Sequence, residues 1–189
     1  RKCDTHKLTD LIAEGVLPLR VTHNDTKLNN VLFDINTNKG LCVIDLDTIM
    51  PGLSLYDFGD SIRSGANKAA EDEADLSKVG IDLELFEVYV DGFLSETAES
   101  LNDAEIENLA FGAKLMTFEC GIRFLTDYLE GDVYFRTTHG EHNIVRARNH
   151  FNIVGDMETH IDEMNAIVAK YKEKYKKLGT LKNGEEALF

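Results

Sequence analysis

The chain has 189 residues, 43% hydrophobic and 29% charged, with a formal net charge of −14. This is the size and balance of one ordinary domain or one large lobe able to bury a core, and its acidity argues against nucleic acid or an anionic membrane as partner. The longest apolar runs, residues 41–44 and 109–111, fall far short of the roughly 20 needed to cross a bilayer.

Asp4 or Thr5 is placed to cap a first helix running to about Glu14, ended by Gly15 and Pro18. Nothing at the amino terminus reads as a signal peptide. Residues 19–22 form a short extended piece that delivers His23 into a loop. Segments 31–34 and 41–44 are two short apolar strands joined by a polar Asn/Gly-rich turn, which predicts a hairpin. Cys3, Cys42 and Cys120 are an odd number without close spacing, so neither a disulfide framework nor a zinc site is indicated. Cys42, in an apolar strand, is expected in the core, and a reducing, cytoplasmic setting fits. After Pro51-Gly52 the chain turns helical. Helices are predicted over 55–67, 83–97, 103–129 and 141–177, with Ser54, Asp82 and Asn102 as capping candidates. The acidic stretch 68–80 is expected to be a mobile surface connection. The basic run 170–177 suits the end of a long helix, and 178–189 reads as a frayed tail.

The residues that carry chemistry are concentrated early. Residues 23–30 read His-Asn-Asp-Thr-Lys-Leu-Asn-Asn, and fifteen residues past Asn30 comes Asp45, at the end of an apolar run. A His-x-Asp-x-x-x-x-Asn loop followed by a strand-borne Asp is the spacing used by phosphoryl-transferring kinases. In that reading Asp25 takes the proton of the attacking hydroxyl, and Asn30 with Asp45 holds Mg²⁺ on the phosphates of ATP. Against it stands the ordinary loop Asp that bonds backbone amides. Lys27 either faces the transferred phosphate or is a solvated loop lysine. His23 orients the loop as a packed histidine, and Asn29 shapes the turn. A lone acid leaving an apolar strand is costly unless a cation meets it, which favours a metal at Asp45. Asp47, two residues on, is either a second ligand on the nucleotide side or a substrate-bonding group. Asp57 braces the loop. Arg123 and Tyr134, eleven apart across a Gly turn, are candidates to converge on a polar ligand.

These motifs resemble the aminoglycoside phosphotransferase and choline kinase superfamily, whose fold is protein-kinase-like. The runs 45–60 and 123–132 look most like the N-acetylhexosamine 1-kinases within it, and the likeness extends over residues 15–170. The resemblance implies a mostly helical α+β carboxy-terminal lobe, 1–189, with a small hairpin at the catalytic loop. It implies phosphorylation of a sugar hydroxyl, the anomeric hydroxyl of N-acetylglucosamine or N-acetylgalactosamine, with ATP and Mg²⁺. Asp25 is then the base, Asn30 and Asp45 the metal ligands, and Asp25, Asp45, Arg123 and Tyr134 line the sugar site. No Gly-x-Gly-x-x-Gly precedes Asp25, and the only lysines upstream are Lys2 and Lys7. The expected partner is therefore an amino-terminal nucleotide-clamping lobe absent from this chain, and the isolated lobe is expected to be inactive.

Other readings remain. One is a kinase for a different small alcohol or amine, such as choline, an aminoglycoside or another sugar; choline calls for an aromatic cage, and the chain has no Trp. Another is the Asp-x-Asp nucleophile loop of haloacid-dehalogenase phosphatases at residues 43–48, although no alternating strand–helix pattern follows. The last is a catalytically silent metal-binding or interaction lobe.

Overall fold

A computed structural model describes residues 5–186 of the chain, the side chains as far as Lys177. The described chain is mostly helical with two small antiparallel sheets. Helix α1 (Lys7–Ala13) leads into β1 (Arg20–Thr22), which pairs with β4 (Met50–Gly52). Between them β2 (Val31–Phe33) and β3 (Gly40–Val43) form the expected hairpin, with a register irregularity between Leu32 and Phe33. The bundle follows: α2 (Ser54–Gly65), α3 (Leu83–Thr97), α4 (Asp103–Glu107), α5 (Leu109–Glu130), α6 (His142–Thr159) and α7 (Ile161–Glu186). Among the described residues no helix is long and apolar enough to cross a membrane.

The core is built from one apolar stripe per helix. Phe58 and Ile62 of α2 meet Phe86, Val90 and Leu94 of α3, Leu109 and Ala113 of α5, and Ile153 and Met157 of α6, all essentially solvent-free. Helices α2 and α5 cross with their backbones nearly touching. A Cβ on Gly59 would lie 2.6 Å from the Gly112 carbonyl oxygen, so only glycine fits there.

Several local expectations need correction. The 103–129 helix is broken at Asn108, whose side-chain amide donates to the Ala104 carbonyl at 2.8 Å and competes with the helical ladder. His160 divides the 141–177 helix similarly, its Nδ1 bonded to the Asp156 carbonyl. Breaks of one residue barely shift the apolar phase, so periodicity passes over them. Asp82 and Asn102 cap α3 and α4 as expected, Asn102 in a reciprocal capping box with Glu105. Ser54 does not cap α2: Leu53 takes that position, and Ser54 Oγ donates to Glu105 instead. At α1 His6 is the flanking residue, not Thr5, and Asp4 lies outside the described residues. The backbone of α7 is helical to Glu186, over most of the segment expected as a tail, because extending a helix costs far less than starting one.

Residues 68–80 run over the surface as expected, most of them exposed, but the segment is tied to the bundle. Val79 and Gly80 are buried, the Lys68 amide bonds the Gly80 carbonyl, and Asn149 and Asn152 of α6 donate to the Ala70 and Val79 carbonyls. The opposite error concerns the hairpin. Cys42, expected in the core, is exposed, as are Leu32, Phe33, Leu41 and Val43. The hairpin stands off the bundle, so apolar sequence there does not mean burial. Asp45 at its end is exposed too, which removes the burial cost expected for it.

Candidate phosphotransfer site

The loop between β1 and β2 is held from three directions. Asp57, in the first turn of α2, accepts the His23 amide on Oδ2 and the Asn24 amide on Oδ1, both at 2.8 Å. This lets Asn24 adopt a left-handed backbone, φ 65°. Thr26 Oγ1 donates to the Asp57 carbonyl and Thr48 Oγ1 to the His23 carbonyl. His23 Nε2 donates to the Ile44 carbonyl at 3.0 Å, leaving Nδ1 to accept the Asp25 amide at 3.3 Å. Asp57 and His23 thus do the bracing the sequence suggested for them.

Asp25 emerges from this frame half-buried. Its Oδ2 accepts Lys27 Nζ at 2.7 Å and Asn30 Nδ2 at 2.8 Å; the same Asn30 amide also donates to the Asp25 carbonyl. Burial lifts the Asp25 carboxyl, but the bonds from Lys27 and Asn30 and the charges of Lys27 and Arg63 outweigh it, so the net shift is downward. The carboxylate is held ionised, and among the described residues no donor bonds its Oδ1.

Asn30 is buried, and its Nδ2 is committed to Asp25, which leaves Oδ1 without a hydrogen bond among the described residues. The Ile44 amide bonds the Asn30 carbonyl at 2.9 Å, so Asp45 begins beside Asn30 across the end of the hairpin. Asp45 has a left-handed backbone, φ 65° and ψ 53°, and no hydrogen-bond or ion-pair partner among the described residues. A strained, unpartnered acid beside a free amide oxygen offers two hard oxygens of the kind Mg²⁺ takes from protein while keeping phosphate and water for its other positions. The donor chemistry therefore fits the ion. Among the described residues no cluster of three or more His, Cys, Asp or Glu is spaced to hold a metal unaided. Asp47 lies in the exposed turn Leu46–Thr48.

On the other side of Asp25 a cavity of about 510 Å³ opens toward α5 and α6, and both Arg123 and Tyr134 line it with Asp25 and Lys27. Arg123 stacks its guanidinium over Tyr134 and Phe135, 5.8 and 5.4 Å from the ring centres. The candidate residues thus divide in two. Asp25, Lys27, Arg123 and Tyr134 line the cavity; Asp45 and Asp47, expected at the substrate or nucleotide, are not among its lining residues, although Thr48 of the same turn is. A larger groove of about 660 Å³, between α4 and α7, holds none of these residues and is lined by salt-bridged surface groups such as Asp103 and Lys172.

Sequence reasoning missed the groups that shape the cavity. The Asp127 carboxylate, at the end of α5, accepts the Val133, Tyr134 and Phe135 amides at 2.7–2.9 Å and the Asn143 amide, fixing the loop that presents Tyr134. An Asp four residues before a Gly, at the end of a helical stretch, is the one sequence signal that could have found it. Arg63, almost fully buried, holds Asp60 on its own helix at 2.7 Å and Glu71 from the 68–80 segment at 2.9 Å. The Asp60–Arg63 spacing of three was legible on a helix; the Glu71 contact was not.

Residues 2–83 match the model of the phosphotransferase enzyme family, APH. The match covers the Asp25 loop, the hairpin, Asp45, Asp57 and Arg63, and supports a place in the aminoglycoside phosphotransferase and choline kinase superfamily. Arg123 and Tyr134 lie beyond it.

Proposed function

We propose that this chain, matched to a phosphotransferase family across its catalytic loop, is the catalytic lobe of an ATP-dependent sugar kinase acting on the anomeric hydroxyl of N-acetylglucosamine or N-acetylgalactosamine. One observation carries the reading: Asp25 lines a cavity together with Lys27, Arg123 and Tyr134 while its Oδ2 is bonded by Asn30, the residue whose carbonyl is paired with the strand leading into Asp45. The sugar would occupy the cavity, gripped by Arg123 and packed on Tyr134, with the reacting hydroxyl against Asp25 Oδ1. As the hydroxyl oxygen bonds to the γ-phosphorus and the bond to the β-phosphate oxygen breaks, the hydroxyl proton passes to Asp25 and the electron pair leaves on ADP. Lys27 would meet the charge developing on the transferred group, where fixed electrostatics contribute most of the rate. Asn30 and Asp45 would hold Mg²⁺, which when bound neutralises the phosphates; Asp47 would extend this nucleotide side.

The exposed hairpin supports a second part of the reading. Leu41, Val43, Ile44, Leu46 and Ile49 are all more than a third exposed, beside the proposed nucleotide side. Such contiguous apolar surface marks an interaction site, and we assign it to an amino-terminal nucleotide-clamping lobe. Residues 1–189 alone are then expected to have negligible kinase activity, and a cytoplasmic enzyme supplied with ATP is the natural setting. The test is Asp25→Asn in the complete enzyme. Phosphorylation of N-acetylhexosamines should vanish while the thermal midpoint stays within about 2 °C, as for a loop change that removes no packing. Turnover at the wild-type rate sinks the reading.

A further inference from the structure

The loop between α5 and α6 supplies three consecutive side chains, Tyr134, Phe135 and Arg136, to the cavity beside Asp25. Little packing holds it there. Val133 and Tyr134 are 74% and 72% exposed, and Asp132 has a left-handed backbone, φ 59°. The Phe135 ring, 4.6 Å from Phe124, is its apolar anchor. The rest of the hold is polar and comes from buried groups. Each oxygen of Asp127 accepts two donors: Oδ1 the Val133 and Tyr134 amides at 2.9 and 2.7 Å, Oδ2 the Phe135 amide at 2.9 Å and Asn143 Nδ2 at 2.7 Å. Asn143 Nδ2 also donates to Asp132 Oδ1 at 2.9 Å, and Asn143 Oδ1 accepts Arg146 Nη1 at 3.3 Å. Arg146 Nη1 reaches the Arg136 carbonyl at 3.2 Å. The loop is thus gripped from Asp132 to Arg136 by side chains of α5 and α6. Asp127 and Asn143 are themselves buried and are not among the residues lining the cavity.

Resting on the sugar-kinase reading above, we propose that Asp127 and Asn143 are positioning residues of the acceptor site, which hold the 132–136 loop in its binding shape and so set acceptor affinity without touching the acceptor. A loop with so little packing would otherwise have to be ordered by the ligand, and that ordering weakens binding. The effect reaches Arg123 as well, because its guanidinium rides on the Tyr134 and Phe135 rings. Asn30 and Asp45, on the nucleotide side, share none of these bonds. The acceptor and ATP should therefore respond differently when the clamp is loosened.

The test is steady-state kinetics of the complete enzyme, varying N-acetylglucosamine and ATP in turn. Because each Asp127 oxygen faces two donors, Asp127→Asn sets an amino group against two of them whichever way the amide turns. Its KM for the sugar should rise about tenfold, while kcat and the KM for ATP stay within about twofold, the pattern of lost binding rather than lost chemistry. Asn143→Ala leaves the three backbone bonds to Asp127 in place and should raise the sugar KM by about threefold. Glu105→Gln, which loosens the fold away from the cavity, serves as the stability control and should move neither KM. Equal rises in both KM values, or a fall in kcat with the sugar KM unchanged, would make Asp127 and Asn143 scaffold alone and overturn the proposal, leaving the sugar-kinase reading standing. If Asp127→Asn does not fold, Asn143→Ala decides, and an unchanged sugar KM overturns the proposal. If the wild type phosphorylates no N-acetylhexosamine, the sugar-kinase reading fails and this inference with it.

Discussion

The base role proposed for Asp25 requires the ionised form, and its neighbours decide how acidic a solution it tolerates. Burial favours the protonated carboxyl, but Lys27 and Asn30 bond the same oxygen and reverse the effect, holding the group below its ordinary value. With the folded value depressed, the active carboxylate is present above it and lost as pH falls through it. The acidic limb of kcat/KM in the complete enzyme should therefore lie below the usual carboxylate range. Lys27→Met should move that limb to higher pH and lower kcat by about 10²-fold, the typical effect of losing one fixed charge near the reacting group. A pH–rate profile reads both; an unmoved limb would mean that Lys27 does not tune Asp25. The loop spacing made Asp25, Lys27 and Asn30 legible as candidates. Their mutual bonding was not legible, because a side chain two residues away has many rotamers and only the packed loop selects one.

Glu105 joins three elements. Its carboxylate accepts Arg20 of β1 at 2.7 Å, Ser54 of α2 at 3.0 Å and the Asn102 amide at the start of α4 at 2.8 Å. Burial alone would raise its carboxyl, but these donors outweigh that and lower it. Stability from Glu105 is thus fully present above the unfolded carboxylate value and disappears as pH falls through the lower folded one. Glu105→Gln should reduce the unfolding free energy by about 2 kcal/mol at pH 7, less than for a fully buried pair because the Arg20 side chain remains 34% exposed. It should also flatten the acid side of the stability curve. Urea titrations at pH 7 and pH 4 check both, and equal losses at the two pH values would contradict the ionic account. The Asn102–Glu105 capping box could be read from the sequence, since a cap is a matter of spacing. The tie to Arg20, 85 residues away, could not.

At the scale of the whole molecule, apolar surface is distributed unevenly. The bundle buries its stripes, whereas the hairpin and neighbouring strands leave Val21 84%, Ile35 91% and Leu41 64% exposed. Cys42 lies on this surface, while Cys120 is buried and its thiol is pushed up to about 11, chiefly by burial. In isolated residues 1–189, maleimide should therefore modify Cys42 orders of magnitude faster than Cys120, as peptide mapping would show. If an additional lobe covers the hairpin, Cys42 in the longer protein should be protected; undiminished reactivity there would place that lobe elsewhere. The −14 charge keeps such a surface soluble by mutual repulsion.

By itself the sequence determined whatever depends on short separations: the hairpin, the helical stripes, the caps at Asp82 and Asn102, and the spacing from Asp25 to Asn30 and Asp45. Each is set by backbone periodicity or by side chains bonding their own segment. Only the tertiary structure decided which apolar segment is covered, that residues 68–80 are tied to α6, and that Arg63 and Glu71 line the cavity beside Asp25. Those outcomes depend on contacts between segments tens of residues apart, where packing rather than local preference chooses the partner. The same division runs through the site itself. The loop announces phosphoryl transfer from its spacing, whereas the shape and hydrogen-bonding of the cavity beside Asp25 arise from α2, α5 and α6 meeting.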